Sequence, residues 1–240
     1  MTDLLLPPLA HRPRFEALPY SGRCQGIWQR GDHLLIGVSP GNSYFSHQRI
    51  AELVLWSCEL FGSVDIVYAD LQVAAQFAAA GYTPENAARR AAKEIKTTRR
   101  RIDRGLELAA VPGVRVRALS EFQDDPVYRR LHRATLDALA ADQEFRAATE
   151  GMARSFLTAK LGAEVPPAAL AAGVDYIAAE LPFFLDTPSL LGVPSSVACY
   201  HVELPLTPVL FGRQEGLRAA AGQAYAVIRP LSALPHAAAA

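Results

Sequence analysis

Among the residues of this 240-residue chain that could do chemistry, Ser39 stands out. It lies in Gly37-Val38-Ser39-Pro40-Gly41-Asn42-Ser43. Two glycines let the backbone turn sharply and let a ligand approach closely. The run leaves an apolar segment, His33–Ser39, that reads as a buried strand, and enters a helical pattern over Tyr44–Phe61. A hydroxyl at such a junction sits near unpaired helix N–H groups and the positive end of the helix dipole. That environment suits a nucleophile and a developing oxyanion. A serine or asparagine that only caps an ordinary strand-to-helix turn has the same local pattern. A second pair, Tyr176 and Glu180, is spaced i,i+4 and shares one helix face among Ala172, Val174, Ile177, Ala178 and Leu181. A carboxylate in apolar surroundings gains a raised pKa, which is useful for proton transfer. An exposed Tyr–Glu pair would look the same, as would Tyr200 serving only as a core tyrosine.

The third feature is electrostatic. Eight basic residues lie between Arg89 and Arg104 against two acids, Glu94 and Asp103, while the whole chain carries zero net charge. On a helix, Arg89, Lys93, Lys96, Arg100 and Arg104 fall on one stripe, flanked by Arg90, Arg99 and Arg101. Ala88, Ala92, Ile95, Ile102 and Leu106 fall opposite and are expected to face the core. A solvated helix face normally mixes signs for i,i+4 pairing. A face that is nearly all basic points to a localised polyanion. No aromatic residues interleave, so the contact would be with phosphates, sensitive to salt and indifferent to sequence.

These groups need a scaffold. Val64–Ala69, Val114–Leu119, Val197–Leu204 and Ala224–Arg229 read as further strands. Helical patterns cover residues 71–80, Pro84 to about 110, Pro126 to about Lys160, and Pro167 through Glu180. Strands alternating with helices imply an α/β fold, Rossmann-like, with a mostly parallel sheet covered on both faces. Ligands in such folds sit at the carboxyl ends of the strands, where Ser39, Asp70 and Tyr200 fall. One domain over 1–240 is expected, with about 1–22 and 235–240 loose. Half the residues are hydrophobic, enough for a sizeable core. No apolar run approaches a membrane span, no signal peptide is evident, and Cys24, Cys58 and Cys199 fit neither a disulfide framework nor a zinc site. The expected setting is cytoplasmic. There is no G-x-x-x-x-G-K-[ST], H-E-x-x-H, paired C-x-x-C or G-x-G-x-x-G. No cofactor and no metal are therefore expected, and the substrate should arrive already activated.

Three classes of function use these features to different extents. Ser39 also fits G-x-S-x-G, the nucleophile elbow of serine hydrolases, with Asp186 and His201 following in the required order; that reading leaves the basic helix unused. A non-catalytic RNA-binding module leaves Ser39 and Glu180 unused. An acyl transfer from charged tRNA uses all of them.

In combination, LIGVSPGNSYFS, VDIVYAD, the Arg/Lys-rich helix, GVDYIAAELPFF and VPSSVACYHVELP resemble the cyclodipeptide synthases, from about Leu35 to Pro230. The resemblance implies a Rossmann-like domain related to the class I tyrosyl- and tryptophanyl-tRNA synthetases, without ATP-dependent activation. It implies Ser39 as nucleophile, Tyr176 and Glu180 holding the aminoacyl amino group, and Asn42 and Tyr200 as the remaining catalytic positions. With Asn42 and Tyr200 in place, the chain resembles the subfamily named for Asn and Tyr. The partners implied are two aminoacyl-tRNAs, the first received by Lys93, Lys96, Arg99, Arg100, Arg101 and Arg104, with no DNA, no membrane and a monomeric enzyme. Leu35, Gly37, Val67, Leu119, Phe183 and Ala198 would line the pocket for the first side chain, which the Phe183 ring should keep small. Met152, Ala159, Lys160, Glu203 and Leu204 would form the second, where Lys160 could pair with an acidic side chain.

Overall fold

A computed structural model describes residues 15–161 and 164–231. The sheet forms from short apolar segments. β2 (His33–Val38), β3 (Ser63–Tyr68), β5 (Ser196–Tyr200) and most of β6 (Gln223–Pro230) are buried nearly end to end, as strands covered on both faces must be. Six strands pair in the order β1-β6-β5-β2-β3-β4. All contacts among β2 to β6 are parallel; β1 (Phe15–Pro19) adds antiparallel to β6, Phe15 opposite Pro230. β4 (Arg115–Ala118) is the other edge. The α/β, Rossmann-like fold with a mostly parallel sheet is therefore present.

Several boundaries differ from expectation. Residues 15–22 are not loose: β1 is zipped to β6, and Ser21 caps α1 (Gly22–Arg30) by accepting from the Cys24 N–H. FEALP, short and broken by Glu16 and Pro19, carries no periodic signal; a partner strand from the far end of the chain supplies the order. The tail from 235 lies outside the described residues. α2 spans His47–Cys58 and starts three residues later than Tyr44, because Ser46 is the cap, accepting from Arg49 N–H at 3.1 Å. β5 stops at Tyr200, short of Leu204; the chain then turns away, with Val202 carbonyl held by the Tyr225 hydroxyl at 2.5 Å.

α3 (Val73–Ala79), α4 (Pro84–Ala109), α5 (Pro126–Ala141) and α6 (Gln143–Leu161) follow the expected segments. α7 runs Pro167–Leu191, well past Glu180 and through Pro182 and Pro188. Its backbone breaks at Asp186, and Thr187 N–H donates instead to the Gln223 side chain at 2.8 Å, so tertiary bonds replace those the prolines remove. By length and composition α7 could cross a membrane, contrary to the expectation that no segment approaches this. Fourteen of its 25 residues are buried, and it packs along the sheet. α8 (Thr207–Phe211) completes the set.

At the amino ends of the strands, His33 bridges Ser196 Oγ (2.8 Å) and Asp65 Oδ2 (3.2 Å), and Arg115 clasps Asp65 through two bonds of 2.8 and 2.6 Å. Burial pushes the Asp65 carboxyl up, but the bonds from His33 and Arg115 outweigh it and hold it below its ordinary value. This chain ties β2, β3, β4 and β5 together at the end remote from Ser39.

α4 packs on α2 by its small residues. Its buried face is Ala87, Ala91, Thr98, Ile102, Gly105 and Ala109; Ala88 and Ala92 are exposed, and Ile95 and Leu106 only half-buried. The helix is thus rotated about one residue from the face expected. Gly105 explains the phase: a Cβ there would lie 2.6 Å from Ile50 Cγ2 and 3.0 Å from the His47 carbonyl, so the helices touch where there is no side chain.

Candidate active site

Ser39 is the first residue past β2, at the carboxyl edge of the sheet. Ser39-Pro40-Gly41-Asn42 closes a turn, with Asn42 N–H donating to the Ser39 carbonyl at 3.3 Å and Gly41 at φ +74°. Proline at the second position and a left-handed glycine at the third are what a type II turn requires. Because α2 starts only at His47, the turn rather than the helix N-terminus fixes Ser39.

Four other side chains converge on it. The Tyr176 hydroxyl interacts with Ser39 and with Glu180, and the Tyr200 hydroxyl interacts with Ser39 and is hydrogen-bonded to Asn42. The direction of these bonds can be worked out. Tyr44 N–H donates to Asn42 Oδ1 at 3.0 Å, which turns Asn42 Nδ2 toward Tyr200 Oη at 2.9 Å. Tyr200 accepts there and has its own proton free for Ser39. Ser39 can then donate to Tyr176, and Tyr176 to the Glu180 carboxylate, which as an anion only accepts. The five groups form one directed chain ending on Glu180.

Burial pushes Glu180 up to about 7, its bond from Tyr176 offsetting only part of the effect. Glu180 is half-buried, and it lines the cavity. Burial, then the Glu180 charge, raises Tyr176 well above a free phenol and Tyr200 to about 12, so both stay protonated at neutral pH.

The cavity has a volume of about 750 Å³ and is mostly apolar. Ser39, Asn42, Tyr176, Glu180 and Tyr200 line it. So do Leu35, Gly37, Val67, Leu119, Phe183 and Ala198 on one side, and Met152, Glu203 and Leu204 on the other. Phe183 is held edge-on against Phe122, ring centroids 4.9 Å apart at 83°. The side chains of Ala159 and Lys160 lie outside the described residues. Gln76, Ser155 and Phe156 also line the cavity; each sits in an unremarkable helical pattern, and nothing in the sequence marks them.

A hydrolase triad is not assembled. Asp186 caps Ser189 N–H at the break in α7, next to Thr187, which bonds Gln223 at the amino edge of the sheet, opposite Ser39. His201 stacks on Tyr44, centroids 4.1 Å apart at 12°, with its buried Nδ1 unpartnered among the described residues. Asp70, also at the carboxyl edge, is occupied by Ser120, accepting from its N–H (2.8 Å) and hydroxyl (2.5 Å). No group of His, Cys, Asp and Glu able to hold a metal occurs among the described residues.

On α4, Arg89, Lys93, Lys96, Arg100 and Arg104 are all exposed. Arg99 pairs with Asp103 at 2.9 Å, and Arg90 lies over Tyr82. Among the described residues no carboxylate pairs with Lys93, Lys96, Arg100, Arg101 or Arg104.

A family model described as cyclodipeptide synthase matches residues 15–230. The chain belongs to the cyclodipeptide synthase family. It is 43% identical over 229 residues to a cyclo(L-tyrosyl-L-tyrosyl) synthase of Mycobacterium tuberculosis, covering 94% of this chain and 79% of that one. It is 41% identical over 230 residues to a cyclo(L-leucyl-L-phenylalanyl) synthase of Streptomyces noursei, covering 94% and 95%. A solved Mycobacterium tuberculosis cyclodipeptide synthetase, described as demonstrating a relation to type I tRNA synthetases, matches with a TM-score of 0.83 at 42% identity, over 95% of this chain and 99% of that one. This membership makes the chain an enzyme that forms cyclic dipeptides; with no triad assembled around Ser39, the serine hydrolase reading is not supported.

Proposed function

We propose that the enzyme draws both amino acids from aminoacyl-tRNAs, without ATP or cofactor, through an ester on Ser39. The observation that carries this reading is the directed chain from Asn42 to Glu180 with Ser39 at its centre, opening on one apolar cavity beside a basic helix.

The steps balance as acyl transfers. Ser39 Oγ attacks the ester carbonyl of the first aminoacyl-tRNA, its proton moves along the chain toward Tyr176 and is then returned to the departing ribose oxygen, and the tRNA leaves with a free ribose hydroxyl. The amine of the Ser39-bound residue then attacks the ester of a second aminoacyl-tRNA, releasing that tRNA and leaving a dipeptide on Ser39. Last, the free amine of the new residue attacks the Ser39 ester, closes the six-membered ring and restores the hydroxyl. Each amine must shed a proton before it attacks. Glu180, poised near neutrality, is suited to hold the ammonium form and accept that proton. Tyr176 orients Glu180, and Tyr200 with Asn42 orients Ser39. The unpaired cations of α4 (Lys93, Lys96, Arg100, Arg101 and Arg104, with Arg99 beside them) would hold the first tRNA by its phosphates. Leu35, Gly37, Val67, Leu119, Phe183 and Ala198 would receive the first side chain, and Met152, Glu203 and Leu204 the second. The braced Phe183 ring favours a small first residue.

Mass spectrometry of culture medium from a host expressing the native chain, beside one expressing Ser39→Ala, tests the reading. A cyclic dipeptide from the native chain and none from the variant is the expected result, and its fragmentation beside synthetic standards identifies both residues. Equal product from soluble Ser39→Ala would sink the covalent mechanism, and a product of two bulky residues would sink the assignment of Phe183.

A further inference from the structure

Within α4 no aromatic side chain interleaves the cations, but the fold brings one in from the turn before it. Tyr82 is 36% exposed, the only exposed tyrosine, tryptophan or phenylalanine among the described residues. Its backbone is fixed by the end of α3. Gly81, at φ +91°, donates its N–H to the Ala78 carbonyl at 3.0 Å, and Tyr82 N–H donates to the Phe77 carbonyl at 3.2 Å. This is a Schellman motif, and its usual apolar contact is made by the Phe77 and Tyr82 rings, centroids 5.8 Å apart at 85°. Any apolar side chain would serve that contact. Tyr82 carries something further: the guanidinium carbon of Arg90, itself exposed on α4, stands 4.3 Å from the centre of its ring.

Ring and guanidinium together make an exposed, positively charged step at the amino end of α4. Arg89 is the chain neighbour of Arg90, and Lys93 follows about one turn on; both are exposed on the basic stripe. A polyanion whose phosphates lie along that stripe has the step beside it. Phosphates need no aromatic surface. Bases do use one: they stack on aromatic rings and on guanidinium planes, and the stacking tolerates any sequence. A base inside a duplex is already stacked on both faces, so the partner must offer an unpaired one. A tRNA does so in its loops and at its 3′ end. We propose that Tyr82 and Arg90 form a stacking platform for an unpaired base of the tRNA held on α4, adding to that interface a contact largely insensitive to salt. This rests on the tRNA-binding reading of α4 above.

The test is filter binding of a deacylated tRNA to the full chain over a salt series, comparing native protein with Tyr82→Phe and Tyr82→Leu. Leucine keeps an apolar contact with Phe77 at the end of α3 and removes the ring. With Tyr82→Leu, affinity should fall about 5-fold or more at every salt concentration, and the slope of log affinity against log salt should not change. Tyr82→Phe should bind as the native chain does. A blunt RNA duplex, which has no unpaired base, should bind native and Tyr82→Leu alike. Equal tRNA affinity of native and Tyr82→Leu would overturn the inference. So would a slope lower by about 0.7–0.9, since Tyr82 would then only hold Arg90 against a phosphate. Equal weakening of tRNA and duplex would overturn it too, as would a Tyr82→Phe as weak as Tyr82→Leu, which would make the hydroxyl and not the ring the contact. A native chain that shows no salt-sensitive tRNA binding is a separate result: it would overturn the reading of α4 and this inference with it.

Discussion

Glu180→Gln should remove activity and add stability, and the gain should depend on pH. Burial raises the Glu180 carboxyl from 4.5 to about 7. Below about pH 4.5 the group is neutral both folded and unfolded, and it costs the fold nothing. Between 4.5 and 7 the unfolded chain ionises first, so stability falls as pH rises; above 7 both states are ionised and the loss is complete. At ~1.4 kcal/mol for each pH unit between the two values, the loss amounts to about 3 kcal/mol. Glutamine is neutral throughout, and its carbonyl can still accept from Tyr176. The variant should match the native chain near pH 4.5 and exceed it by about 3 kcal/mol at pH 8, or about 6–12 °C in Tm for a chain of this size. Thermal unfolding of both proteins across pH 4.5–8, with cyclic dipeptide formation assayed in parallel, reads both effects. A gap that stays constant with pH, or a variant less stable than native at pH 8, would refute the argument that the Glu180 carboxylate is held ionised at the fold's expense.

Gly105→Ala should destabilise by about 1–3 kcal/mol in urea unfolding, because its Cβ would press on Ile50 and the His47 carbonyl and force α2 and α4 apart. Lys96→Ala with Arg100→Ala should weaken tRNA binding. Each cation removed from a phosphate should also lower the slope of log affinity against log salt by about 0.7–0.9, measured by filter binding over a salt series.

The parallel core is legible because its strands are buried on both faces and read as apolar runs bounded by turns, as in HLLIGV and SVDIVY. The turn at Ser39 is legible for a different reason: Pro40 and Gly41 each restrict the backbone, and together they admit few conformations. The side chains around Ser39 come from three distant segments, and resemblance places them where no local pattern does. What the sequence hides depends on partners. β1 has no periodicity of its own. The phase of α4 is set by the absence of a side chain at Gly105, which a search for large apolar residues passes over. Gln76, in VAAQFAA, differs from a surface glutamine only by what surrounds its amide.

The pairing of β1 with β6 bears on how the molecule is made. β6 lies between β1 and β5, so the first described strand has no place in the sheet until residues near 230 have left the ribosome. β5, which ends at Tyr200, likewise has one flank open until β6 arrives. At ~5–20 residues per second of synthesis, α1, β2 and the Ser39 turn can form seconds before the strand that secures Tyr200. Ser39 is made early and its surroundings are finished last, so a nascent chain carries this serine before the groups that surround it are in place.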